Sequence, residues 1–149
     1  MALTKVYIIA TKNTASAAEV VINNLKPYIE VIHIGENTFG KDVGSFGIQD
    51  QRPAKRIEWV LYPIVYKISN ANNIGGYSNG LIADDKMDEN LSLPLKEIGN
   101  PEEPLLNRAL QLSLNKRVTL STSVKKKANY QDLYDSALQG AQNSILLVK

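Results

Sequence analysis

The first apolar run, Val6-Tyr7-Ile8-Ile9-Ala10, is rich in β-branched residues and is bounded by the polar Lys12-Asn13-Thr14. It predicts a buried strand over 5–11. Ala17, Ala18, Val20, Val21, Ile22 and Leu25 then recur at helical spacing, with Glu19, Asn23, Asn24 and Lys26 assigned to the outward face. Pro27 cannot continue a helical ladder and marks the end. Residues 29–35 read as a second strand stopped by Gly35. Strand, helix and strand in so short a span predict a parallel βαβ unit.

Beyond it, residues 37–44 form a glycine-punctuated loop, and 45–49 start a further strand. A charged, Pro-containing stretch over 50–56 precedes a long extended segment from Glu58 to Ser69. Pro63 interrupts that segment and implies an edge or a bulge. Residues 70–80 have loop composition, and 84–90 are acidic and polar. Pro101-Glu102-Glu103-Pro104 introduces a helix over 105–114. A β-prone stretch over 119–124, a helix over 131–138 and an apolar tail over 145–148 complete the pattern. The expected division is a core over 1–117 with a C-terminal extension over 118–149.

Composition narrows the chemistry. A net charge of +2 over 149 residues gives no electrostatic reason to expect nucleic acid or an acidic membrane as partner. The basic run Lys125-Lys126-Lys127 has no interleaved aromatic residues for base stacking and reads as a solvated surface. Cysteine is absent, which removes disulfides and thiol nucleophiles. The single histidine, His33, lies in an apolar strand and reads as structural, so neither a Ser-His-Asp triad nor a zinc site is expected. No stretch approaches the ~18 apolar residues of a membrane helix. The abrupt start on a core strand suggests a fragment whose upstream part is missing.

Two segments could carry a reaction. In Thr14-Ala15-Ser16-Ala17-Ala18-Glu19, a serine stands between a buried strand and a helix start. There the amides and the positive end of the helix dipole could stabilise an oxyanion. Ser16 and Glu19 also match the capping box, in which the serine merely satisfies a helix amide, and both readings stay open. In Glu36-Asn37-Thr38-Phe39-Gly40-Lys41, a lysine follows the second strand. An ammonium accepts no proton, so a lysine base needs a partly apolar, desolvated site, which Phe39 and the preceding strand could supply. A βαβ unit brings Ser16 and Lys41 to the same edge of the sheet.

These two segments, 25 residues apart from Ser16 to Lys41, resemble the C-terminal processing (tail-specific) serine peptidases. Gly80-Leu81-Ile82-Ala83-Asp84 is similar to the family's Gly-Ile-x-Pro-Asp segment, and Pro104 to Leu110 to its Asp-x-Leu-x-x-Ala-Leu helix. The resemblance covers roughly residues 4–114. It implies an α/β fold, part of a ClpP/crotonase-like core with a mixed sheet and packed helices. It also implies peptide-bond hydrolysis without metal or cofactor, on an unstructured protein segment or a C-terminal tail, in the cell envelope or periplasm. Ser16 would be the nucleophile, Lys41 the general base and the Ala17 amide an oxyanion donor. Ser45 would orient the lysine where the family commonly has glutamine.

Family members also carry an upstream PDZ-like domain and a glycine-rich segment that supplies a second oxyanion donor, and neither is found here. Loss of one such donor costs about 10²–10³ in rate, so this chain alone is expected to be weak or inactive. The alternative is a non-catalytic ligand- or peptide-binding module of the same fold. An incomplete sheet edge would also suit pairing into a homo-oligomer.

Overall fold

A computed structural model describes residues 3–91 and 93–114. The expected extension over 118–149, with its β-prone stretch, helix and apolar tail, lies outside the described residues, as does the 125–127 lysine run.

The βαβ unit forms as its pattern predicts. Strand β1 (Lys5–Ala10) and strand β2 (Glu30–Gly35) pair in parallel, from Lys5 opposite Glu30 to Ala10 opposite Gly35, and helix α1 (Ala17–Leu25) connects them. Successive side chains alternate between the two faces of the sheet. On one face, Ala10 and Val31 join Ile22 of α1, with Tyr77 and Leu81 from a following loop. On the other, Ile34 joins Leu105 and Ala109 of a second helix, with Tyr7 and Ile32 against them. That helix, α2 (Pro104–Ser113), starts at Pro104, where the fixed φ of proline suits the first turn. The carboxylate of Glu103 caps it, accepting the N–H groups of Leu105 (3.0 Å) and Leu106 (2.6 Å). The core is therefore a three-layer α/β/α arrangement.

Two corrections fall inside α1. Glu19 and Asn23, assigned to the outward face, are buried, at 0% and 2% exposure. Each buried polar group finds partners in chain that arrives later. Asn23 donates to the Ile74 carbonyl (2.9 Å) and accepts from Asn70, so the 70–76 loop is pinned across the helix. Glu19 binds the loop after β2, as described below.

The ribbon that follows is antiparallel. Strand β3 (Val43–Ser45) pairs with β6 (Ile64–Lys67), and β4 (Ile48–Gln49) pairs with β5 (Val60–Leu61). Pro63 falls between β5 and β6, and close after it the register shifts, Gly44 pairing with Tyr66 and Ser45 with Ile64 so that Val65 is the extra residue. The parallel and antiparallel pairings lie in separate sheets. At the ribbon's far end Asp50 accepts from the Arg52 guanidinium (2.6 and 2.7 Å) and from three backbone amides, which holds its carboxyl well below the usual carboxylate range. The ribbon carries Trp59, Leu61, Tyr62 and Ile64 exposed.

The acidic stretch contains a strand that the pattern did not reveal. Strand β7 (Asp85–Lys86) adds to β2 in parallel, giving the order β1-β2-β7. Asp84 prepares this docking: its N–H donates to the His33 carbonyl (2.9 Å) and its carboxylate accepts the His33 N–H (2.8 Å). Ala83, where the resembling family has proline, uses its N–H to donate to Asn37 Oδ1 (3.2 Å), a bond proline could not make. Arg108 of α2 clamps Asp85 at 2.7 Å. The outer edge of β1 is unpaired among the described residues. No helix among them is long and apolar enough to cross a membrane.

Ile34, fully buried at the centre of the α2 interface, is the point where core loss should be felt most. Ile34→Ala is expected to cost about 2–5 kcal/mol, read from the urea midpoint of unfolding.

Candidate functional site

Ser16 stands at the turn between β1 and α1, as the N-cap of the helix, with φ 55° and ψ −118°. This left-handed conformation is one that only glycine adopts without strain, and for a serine it costs about 1–3 kcal/mol. Ser16 and Glu19 form the capping box that the sequence suggests, although the Ser16 hydroxyl makes no well-formed cap hydrogen bond and the stronger half is the carboxylate. That half is Glu19 Oε2, which accepts the Ser16 N–H at 2.8 Å. Ala17 opens the helix, and its N–H finds no carbonyl among the described residues. It is one of the orphan donors of a first helical turn.

Lys41 arrives at this turn through the loop after β2. Glu19 reaches across and accepts three more bonds, from Thr38 Oγ1 (2.6 Å), the Gly40 N–H (2.6 Å) and the Lys41 N–H (2.8 Å). Gly40 is required here: its φ is +99°, and a Cβ would meet the backbone of Ser78 and Gly80. Thr38, itself buried, bridges onward by accepting the Leu81 N–H at 2.7 Å. Burial alone would push the Glu19 carboxyl up, but its four hydrogen bonds outweigh that and hold it below the ordinary glutamate value. The nearby hydroxyl of Tyr77 is pushed up by burial and by the Glu19 and Asp42 carboxylates.

Ser16, Ala17, Lys41 and Ser45 all line one pocket of about 290 Å³, together with Val20, Val43, Gly44, Tyr66 and Ile68. The four residues singled out from the sequence thus share a cavity where the helix start meets the ribbon. Val20, Tyr66 and Ile68 were not anticipated; no local motif marks the latter two, which reach the pocket only through strand pairing. The glycine at 44 matters to that wall, because the Tyr66 ring occupies the space a Cβ would need.

The cover expected over the lysine differs from the finding. Phe39 is 65% exposed and Lys41 is exposed as well, so the apolar surface near Lys41 comes from Val43, Tyr66 and Ile68. None of the ion pairs among the described residues involves Lys41. His33 is wholly buried in β2, and burial pushes its pKa down. It does not line the pocket. Among the described residues no group of three or more His, Asp or Glu side chains could hold a metal ion.

The arrangement can be set beside known proteins. It is similar to the crystal structure of a protein from Bacteroides fragilis NCTC 9343, described provisionally as an S41 protease, with a TM-score of 0.64 and 33% identity over 75% of this chain. The fold is S41-peptidase-like. This chain spans 28% of the length of that protein. No family model matches the sequence, and no curated protein matches it.

Two outcomes follow from the Glu19 and Ser16 geometry. A carboxyl held below its unfolded value contributes stability that is fully present above about pH 4.5 and is lost as pH falls through the folded value. Wild-type stability is therefore expected to fall with acidification below pH 4.5 more steeply than that of Glu19→Gln, in denaturant titrations taken stepwise from pH 7 to pH 3. Ser16→Gly is expected to melt above Ser16→Ala by the equivalent of about 1 kcal/mol, because only glycine relaxes at φ 55°.

Proposed function

We propose that this chain is the catalytic part of a serine endopeptidase of the C-terminal processing type, working through a Ser16–Lys41 pair. The observation that carries the reading is the shared pocket: Ser16, Ala17, Lys41 and Ser45 line one cavity. The strained Ser16 conformation supports it, since such strain concentrates at functional turns.

Ser16 Oγ attacks the scissile carbonyl carbon while Lys41, in its neutral amine form, takes the hydroxyl proton. The charge that develops on the carbonyl oxygen is met by the free Ala17 N–H. Collapse breaks the C–N bond, and Lys41 returns the proton to the leaving amine. A water then attacks the acyl-serine ester, again giving its proton to Lys41; the C–O ester bond breaks as Lys41 passes that proton to Ser16 Oγ, and the acid product leaves, ionising to a carboxylate in solvent. Ser45 offers an oxygen that accepts a hydrogen bond from the lysine and so orients it. The substrate in this reading is an unstructured protein segment or a C-terminal tail.

One observation favours a second reading. Phe39 and Lys41 are both exposed, which suits a non-catalytic module that holds a peptide in the same pocket without cleaving it.

A fluorophosphonate probe separates the two, because it brings its own leaving group and reports slow nucleophiles over hours. On the 149-residue chain, intact mass and peptide mapping are expected to show one adduct, on Ser16. Ser16→Ala should abolish it, and Lys41→Ala should slow it by about 10²–10⁴. An adduct that survives in Ser16→Ala, or no adduct in the wild type, would favour the binding module.

A further inference from the structure

Glu19 lies outside the reaction just described, yet it touches the backbone of both groups that would perform it. Its Oε1 accepts from Thr38 Oγ1 and the Gly40 N–H, both at 2.6 Å. Its Oε2 accepts from the Ser16 N–H and the Lys41 N–H, both at 2.8 Å. One oxygen atom therefore serves the nucleophile's amide and the base's amide together. The two nitrogens can lie no further apart than those two bonds laid end to end.

The carboxylate is also placed where it cannot drift. It is wholly buried, it sits in the first turn of α1, and no cation among the described residues pairs with it. Its charge is met only by hydrogen-bond donors and the positive end of the helix. Four donors for two oxygens leave no alternative partner that would let it swing.

We propose that Glu19 is the positioning residue of this site, a shared acceptor that fixes the Lys41 loop against the strained Ser16 turn and so sets the distance across which the proton passes. A neutral isostere could not do this, because the amide of a glutamine replaces one acceptor with a donor that faces existing donors. The Ser16 turn would then lose the bond that offsets its strain, and the Lys41 loop would lose its anchor. The role rests on the Ser16–Lys41 reading for its catalytic consequence, but not for its structural one.

The test has two arms on the 149-residue chain. In amide hydrogen exchange, Ser16, Gly40 and Lys41 are expected to be protected together in the wild type and to lose protection together in folded Glu19→Gln, at least tenfold. Unchanged protection, or loss at Ser16 alone, overturns the shared-acceptor role whatever the chemistry. In fluorophosphonate labelling, Glu19→Gln is expected to slow Ser16 about 10²-fold, and this effect should shrink in the Lys41→Ala background, because both changes then act on one step. An equal effect in both backgrounds overturns positioning of the base.

Arg108→Ala removes the Asp85 clamp on the opposite layer. It should lower the unfolding midpoint without moving the labelling rate, which separates general destabilisation from positioning. Should Glu19→Gln fail to fold, Thr38→Val removes one donor and keeps the carboxylate. It is then expected to raise exchange at Gly40 and Lys41, and unchanged exchange there overturns the role. An unlabelled wild type with the predicted exchange pattern would sink the peptidase reading and leave the positioning geometry standing.

Discussion

A single buried carboxylate ties the turn before α1 to the loop after β2, about twenty residues further along the chain. The energetics of Glu19 are demanding in both directions. Burying a charge without compensation is prohibitive, and the charge is tolerated here because each oxygen accepts two hydrogen bonds. Conversely, three backbone amides and a hydroxyl depend on it, and each unsatisfied buried donor costs about 1–3 kcal/mol. Carboxylate and donors are therefore stable only together. The turn before α1 and the loop after β2 are not two elements that happen to adjoin; they share their hydrogen-bond accounting.

The strain at Ser16 gains its meaning from the same contact. A serine at φ 55° would relax in an isolated peptide, at a benefit of about 1–3 kcal/mol. Its N–H is held at 2.8 Å by a carboxylate that cannot move, so relaxation would forfeit a charge-assisted bond of comparable worth. The loop side is held in turn from below. Thr38 passes the constraint to Leu81, whose side chain belongs to the core cluster with Ile22 of α1. The circuit closes on the helix where it started, which makes it a rigid frame rather than a chain of loops.

Much of this was legible from residues, and the failures have a common cause. Helix α1, strands β1 and β2 and their parallel pairing follow from period and punctuation, because those signals are local. Ser16 and Lys41 could be brought to one end of the sheet because a βαβ unit leaves little freedom. Glu19 is visible as the fourth residue of a capping box, yet its pattern assigns it to solvent, since the donors that satisfy it, Thr38, Gly40 and Lys41, lie about twenty positions further on. Asn23 was misassigned for the same reason, its partners being Asn70 and Ile74. Strand β7 is only two residues long and acidic, and it forms because Asp84 and Arg108 hold it against β2, not because Asp85 and Lys86 favour a strand. In each case a tertiary partner overrode the local preference.

The pocket is consequently unequal on its two sides. Ser16, Ala17 and Val20 stand on a helix packed into the core, and the Lys41 backbone is fixed by Glu19. Val43, Gly44, Ser45, Tyr66 and Ile68 belong to or adjoin a two-stranded ribbon, a structure that is marginal in water unless something packs on it. The groups that would make and break bonds are on the rigid side. The groups on the ribbon side, including the Tyr66 ring seated over Gly44, would in the proposed reading contact the bound segment. In the proposed reading the two sides are coupled, because Ser45, which would orient Lys41, and the apolar surface beside Lys41 both come from the ribbon side. A change in the ribbon would therefore reach the Lys41 side chain, while the backbones of Ser16 and Lys41 stay tied to one carboxylate.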